Sequence, residues 1–266
     1  MLGQNIGETA NGLAAAILQA AAAQPLYTGE VACFLAERRR LQPAAALDNG
    51  MSFFERAAGF DVSGLYAISL RGWEAAVPVH CDMETDGGGW TLLQQRRNDS
   101  QVVFARSLRQ YEEGFGLTGN SHWLGLRAIA ALTERGLHTL RVDMWADEHQ
   151  YAEYDGFWIS GADYVITVGK YCGTAGDGLY KQHGQKFVAC GLNQASRRDK
   201  TAHGFQSKCQ GGGWWDSQKT EDTNLNGVRN PNTGDLEAHW VTRNAHFVPR
   251  VSAMKIRPVQ RIAIGK

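Results

Sequence analysis

Eight histidines, five cysteines and 27 carboxylate side chains are the groups in this 266-residue chain that can move protons, attack carbonyls or ligate metals. Their spacing decides what they can do. His80, His122, His138, His149, His183, His203, His239 and His246 are scattered, with no HxxxH or similar interval that would aim two imidazoles at one metal. Cys33, Cys81, Cys172, Cys190 and Cys209 include no CxxC pair, so a structural zinc site is not expected, and the odd count leaves at least one thiol free. Gly211-Gly212-Gly213 lacks the Lys-Ser/Thr of a phosphate loop, and no GxSxG nucleophile elbow occurs. Asp143 and Asp147 come nearest to a carboxylate pair, and on a surface strand or turn they would be solvated. No catalytic set emerges, and the chain reads as a binder.

Binding chemistry concentrates between residues 190 and 247. An indole plate stacks on the apolar face of a sugar while amides and imidazoles bond its hydroxyls. The candidate contacts of that kind are Trp214, Trp215, Asn224, Asn226, His203, His239 and His246. Of the two adjacent indoles, one is expected in the core and Trp215 at the surface, because Asp216 turns the chain toward solvent. Asn224 and Asn226 flank Leu225, where side-chain amides can close an Asx turn. Arg197, Arg198 and Lys200 widen the choice to acidic ligands.

The elements that must position these groups are short. Residues 64–70, 90–95, 139–144 and 164–168 are apolar and β-prone, separated by glycine and polar turns. Residues 123–134 have helical spacing, with Leu126, Ile129 and Leu132 on one face. Strands around interspersed helices predict an α+β fold with a central antiparallel sheet. From residue 169 onward periodicity fades, and residues 170–250 form a long irregular region dense in Gly, Asn, His, Trp and Asp. Long loops inside compact domains are usually functional. Upstream, residues 6–24 read as an alanine-rich helix stopped by Pro25, and 30–41 as a second short helix.

Several longer strings occur in a fixed order. Ser63-Gly64-Leu65-Tyr66 precedes Cys81-Asp82-Met83-Glu84-Thr85-Asp86-Gly87-Gly88-Gly89-Trp90-Thr91, where three glycines let the backbone turn sharply under an indole. Tyr111-Glu112-Glu113-Gly114-Phe115-Gly116, Trp123-Leu124-Gly125, Gly173-Thr174-Ala175-Gly176-Asp177, Trp214-Trp215, Asn224-Leu225-Asn226-Gly227 and Met254-Lys255-Ile256-Arg257-Pro258 follow. In this set the chain resembles the fibrinogen-related (fibrinogen C-terminal-like) domain family over about four fifths of its length. The resemblance implies a fibrinogen C-terminal-like domain at 48–259, preceded by the helical N-terminal arm read at 1–47 and followed by a tail at 260–266.

The family's pocket binds acetylated or other sugars, or protein ends, beside a calcium ion, and the resemblance is weakest there. In place of alternating aspartates stands Phe187-Val188-Ala189-Cys190-Gly191-Leu192-Asn193-Gln194-Ala195. Gly191 and Ala195 offer no side-chain oxygen, and calcium prefers several hard, mostly anionic ones. No cofactor is expected; a calcium ion would have only Asn193 and Asp199 to use, with Arg197, Arg198 and Lys200 around the latter. The Cys-His that the family often carries before Asn-Leu-Asn-Gly is absent from residues 217–223, and Cys209 lies a few positions from where that cysteine's partner would fall. The family's usual N-terminal cysteine maps to Ser52, so the resemblance makes Cys33 the alternative partner of Cys81. The implied ligand is a glycan or a glycan-bearing surface, with the acetyl-binding residues changed.

Composition sets the bounds of partner and place. The net charge is zero, which gives no general attraction to nucleic acid or anionic membrane. No run reaches the roughly 18 apolar residues of a membrane span. Residues 13–23 are apolar, but residues 1–12 contain Glu8 and neither Lys nor Arg, so no signal peptide is expected. The alanine stripe of residues 1–24 suits self-association or docking to a larger assembly. An extracellular-facing place on a virion or appendage surface is expected in preference to classical secretion, and a structural tip, cap or decoration protein of such an appendage is the alternative to a glycan-binding module.

Overall fold

The computed structural model describes residues 62–68, 70, 73–97, 102–134, 136–189, 212–215, 222–227 and 238–259. The expected N-terminal arm, the tail, Cys33, Asn193, Asp199 and His203 lie outside the described residues. The chain divides into two compact units, Met1–Thr91 and Leu92–Lys266.

In the first unit β1 (Gly64–Ile68) and β2 (Val77–Asp82) form an antiparallel pair in which Gly64 faces Cys81 and Ile68 faces Val77. Alternation along β2 buries Val77, Val79 and Cys81, the period of two that a strand with one covered face requires. Cys81 is disulfide-bonded, and its partner lies outside the described residues. β2 pairs with the start of β3 (Trp90–Arg96), Cys81 opposite Thr91 and Asp82 opposite Trp90. The link between them is built by Asp82, whose carboxylate accepts from the backbone N–H groups of Glu84 and Thr85 and from the Thr85 hydroxyl. Gly87, Gly88 and Gly89 all have positive φ, and a Cβ on Gly88 would stand 2.5 Å from the Met83 carbonyl oxygen. The turn delivers Trp90, wholly buried, with its indole N–H donating to the Thr85 carbonyl at 2.8 Å.

The second unit takes the chain from Leu92, within β3, onward. Helix α1 (Leu108–Glu113) starts at a reciprocal cap between Ser107 and Gln110. β4 (Phe115–Gly116) and β5 (His122–Trp123) pair antiparallel, and β5 also pairs with β3. Helix α2 (Leu126–Thr133) buries Leu126, Ile129 and Leu132, the face expected from their spacing. Then come β6 (His138–Trp145), β7 (His149–Ser160), β8 (Val165–Thr167), β9 (Tyr171–Gly173), β10 (Phe187–Val188), β11 (Trp214–Trp215), β12 (Trp240–Val241), β13 (His246–Phe247) and β14 (Val251–Pro258). The main sheet of this unit runs β3-β14-β6-β7-β8, with β9 also on β7. β14–β6, β6–β7, β7–β8 and β7–β9 are antiparallel, so the expected α+β fold with a central antiparallel sheet is what the chain forms. One sheet face carries Leu140, Val142, Met144, Met254 and Ile256 into the core.

The opposite face corrects one expectation. Asp143 is not a solvated surface carboxylate: it is 2% exposed. Its two oxygens accept from Arg141 Nε at 3.0 Å, one meets Lys255 Nζ at 2.7 Å, and the other His149 Nε2 at 2.8 Å. Register explains the change, since β6 lies between β14 and β7 and puts Lys255 opposite Arg141. Asp147, beyond the strand end, is the exposed member of the pair.

Candidate functional site

Three described segments meet where regular structure is sparse: residues 212–215, 222–227 and 238–247. Asparagines tie them together. The Asn224 side-chain oxygen accepts from the Asn226 N–H at 2.8 Å, which closes the expected Asx turn around Leu225. Its Nδ2 donates to the Gly212 carbonyl at 3.1 Å. Asn226 donates to the Gly213 carbonyl at 2.8 Å and accepts from Gln94 Nε2 at 3.2 Å. Asn224 and His239 exchange both backbone hydrogen bonds, each 2.9 Å, as an isolated antiparallel bridge. These bonds fix the third segment to the second without a long strand.

Behind the asparagines sits an aromatic block. Trp215 packs on Trp123, Phe187 and Trp214, with ring centroids 5.2–6.1 Å apart, and donates its indole N–H to the Tyr164 carbonyl at 2.8 Å. Tyr111 joins the block to the site: its hydroxyl donates to the Phe104 carbonyl and accepts from the Gly213 N–H, each at 2.8 Å. Burial drives the Tyr111 phenol far above its ordinary pKa, so it stays neutral and keeps both roles. A Cβ on Gly213 would lie 2.8 Å from the Tyr111 ring, so this close approach admits only glycine.

Trp215 is therefore not the exposed ring expected from Asp216. It is 0% exposed, Trp214 is 3% and Asn226 is 0%, so all three act as supports and present nothing to a ligand. The neighbouring residue type could not reveal this, because the covering groups come from Trp123, Tyr164 and Phe187, far away in sequence. Asn224, His239 and His246 retain accessible surface, and the structure brings the last two together: His239 Nδ1 and His246 Nε2 are 3.0 Å apart. His203, Asn193 and Asp199 lie outside the described residues.

The hairpin that carries the histidines is held from beneath. Trp240 is fully buried, and its indole N–H is shared by the Ala175 and Gly176 carbonyls at 3.2 Å. The Thr223 hydroxyl accepts from the Val241 N–H at 2.8 Å and donates to the Val241 carbonyl at 3.2 Å. Tyr180 lies under Arg243, 5.2 Å from guanidinium carbon to ring centroid, and beside the Lys181–Asp222 ion pair. Tyr180, Lys181, Thr223 and Arg243 carried no signal in the sequence beyond membership of an irregular stretch. Among the described residues no group of three or more His, Cys, Asp or Glu side chains is arranged to hold a metal ion, and no helix is long and apolar enough to cross a membrane. Cys172 is a free, exposed thiol.

Comparison with known proteins adds the following. Residues 55–259 match the family described as the fibrinogen beta and gamma chains, C-terminal globular domain. Fibrinogen C domain-containing protein 1 of Mus musculus is 35% identical over 219 residues, which cover 76% of this chain and 46% of that protein. Techylectin-5A of Tachypleus tridentatus is 33% identical over 220 residues, covering 78% and 73% respectively. The fibrinogen-like globe domain of human ANGPTL2 superposes with a TM-score of 0.63 at 30% identity, over 77% of this chain and 97% of that one. The chain thus spans about half the length of the fibrinogen C domain-containing relatives.

Proposed function

Because the chain belongs to the family of the fibrinogen C-terminal globular domain, we propose that it is a non-catalytic recognition module for a glycan or glycan-bearing surface, which it meets through the loops of residues 190–247. The observation that carries this reading is the Asn224–His239 bridge. It gathers an amide and two imidazoles at an accessible edge, while the indoles of Trp214, Trp215 and Trp240 are buried as supports. Among the described residues such an edge has donors and acceptors for hydroxyl groups and no nucleophile–base pair for bond breaking. Likeness to a protein named as a lectin, Techylectin-5A, supports the same reading.

In this proposal recognition is calcium-independent, and residues 1–24 provide self-association or attachment. The module faces the extracellular side. The relatives named above come from animals and lend nothing to a virion or appendage setting.

The test is a glycan array spanning neutral, acetylated and acidic sugars, probed with the full chain and with His246→Ala. The expected result is a restricted set of bound sugars whose signal drops for the variant by about tenfold, as when one good contact is lost. A folded protein that binds no sugar on the array, or a variant that binds as the parent does, overturns the reading.

A further inference from the structure

The hairpin β12–β13 pairs Trp240 with Phe247 and Val241 with His246. Side chains alternate across a strand, so His239 and Val241 share one face and Trp240 takes the other. His246, opposite Val241, stands on the face that carries His239, one diagonal step away. The two rings meet there with centroids 5.0 Å apart and an interplanar angle of 55°. The facing nitrogens, Nδ1 of His239 and Nε2 of His246, are separated by 3.0 Å.

Two nitrogens at that distance can share one proton or one metal ion. Zinc binds imidazole nitrogen at about 2.0–2.1 Å with tetrahedral angles, so two such ligands stand roughly 3.3 Å apart. The gap observed needs to open by only a few tenths of an ångström. Imidazole pairs suit the borderline divalent metals, zinc, copper and nickel, rather than calcium or magnesium. The frame is also fixed before any ion arrives. His239 is anchored by its two backbone bonds to Asn224. The turn between the strands is closed by Thr242, whose N–H donates to the Ala245 carbonyl at 2.8 Å and whose hydroxyl accepts from Ala245 N–H at 2.9 Å. Little side-chain and loop ordering remains to be done on binding.

We propose that His239 and His246 form a two-imidazole chelate for a borderline divalent transition metal of the zinc type. Each ring coordinates through the nitrogen that faces its partner and keeps its proton on the other. Among the described residues no third His, Cys, Asp or Glu is grouped with the pair. The proposal stands whether or not the loops bind a glycan.

Isothermal titration of zinc chloride into the full chain tests this, with calcium chloride as contrast. One saturable zinc equivalent is expected, and no matching calcium event. His246→Gln, an exposed position that leaves the hairpin bonds untouched, should weaken the zinc event at least tenfold, as should His239→Ala. Cys172→Ser, which removes the exposed thiol, should leave it unchanged. Near-ultraviolet circular dichroism of each variant establishes that the fold persists. The absence of a saturable zinc event in the parent, or an event of equal strength in folded His246→Gln, overturns the proposal and leaves the pair as an imidazole–imidazole hydrogen bond.

Discussion

The indole of Trp215 and the amide of Asn224 stand nine residues apart and do different work. Trp215 is sealed by three aromatic rings and spends its only donor on a carbonyl. Removing it takes a large plate out of a closed block and strands the Tyr164 carbonyl. Trp215→Ala should therefore cost about 3–5 kcal/mol of stability, read from urea denaturation. Any loss of ligand binding should track the fraction unfolded. A variant of parental stability with weakened binding would return Trp215 to the ligand face and invalidate the packing described here. Asn224 keeps accessible surface, yet three of its bonds hold the segments together. Substituting it would mix structure with recognition, which is why His246, exposed and at the hairpin edge, is the cleaner probe.

At the scale of elements, the sheet face shared by β14, β6 and β7 sets the acid stability of the second unit. Burial disfavours the ionised form of Asp143, but Arg141 and Lys255 outweigh it and hold the carboxyl below its ordinary value of 3.8. A carboxylate whose pKa is depressed by folding adds stability that is present above its unfolded value and lost as pH falls through the folded one. Stability should thus decline as the medium is acidified below 3.8. Asp143→Asn should flatten that acid limb. At neutral pH it should also cost about 3–5 kcal/mol, because the buried Lys255 would lose the Asp143 carboxylate and Arg141 would keep Glu153 but lose Asp143. Urea midpoints from about pH 2 to 7 for both proteins measure this. An acid slope equal to the parent's in Asp143→Asn would mean that the cluster is not the source.

As a whole molecule the chain keeps the family's fold, and calcium independence is the proposal that belongs to this scale. The resemblance sets Gly191 and Ala195, which have no side-chain oxygen, against the family's calcium ligands, and the proposed recognition therefore does without the ion. A ion that binds only the native state raises its stability by mass action, by about 2.7 kcal/mol at a hundredfold excess over the dissociation constant. The melting temperature of the full chain should accordingly be the same in millimolar calcium and in chelator. A rise of several degrees with calcium would show that the substituted loop still forms a site.

What the sequence alone determined was whatever contiguous residues encode. The glycines before Trp90 require positive φ, Asn224 two residues before Asn226 dictates an Asx turn, and the spacing of Leu126, Ile129 and Leu132 sets the buried face of a helix. The ordered strings then sufficed to identify the family. Burial was decided only by tertiary structure, because it depends on what arrives from elsewhere. Asp216 suggested solvent for Trp215, but Trp123 and Phe187 close over it. Asp143 read as a solvated carboxylate until strand register set Lys255 and His149 beside it. His239 and His246 lacked any helical metal spacing, since residues seven apart on a helix share a face but stand about two turns from each other. A hairpin does, since folding the chain back turns sequence distance into a cross-strand step.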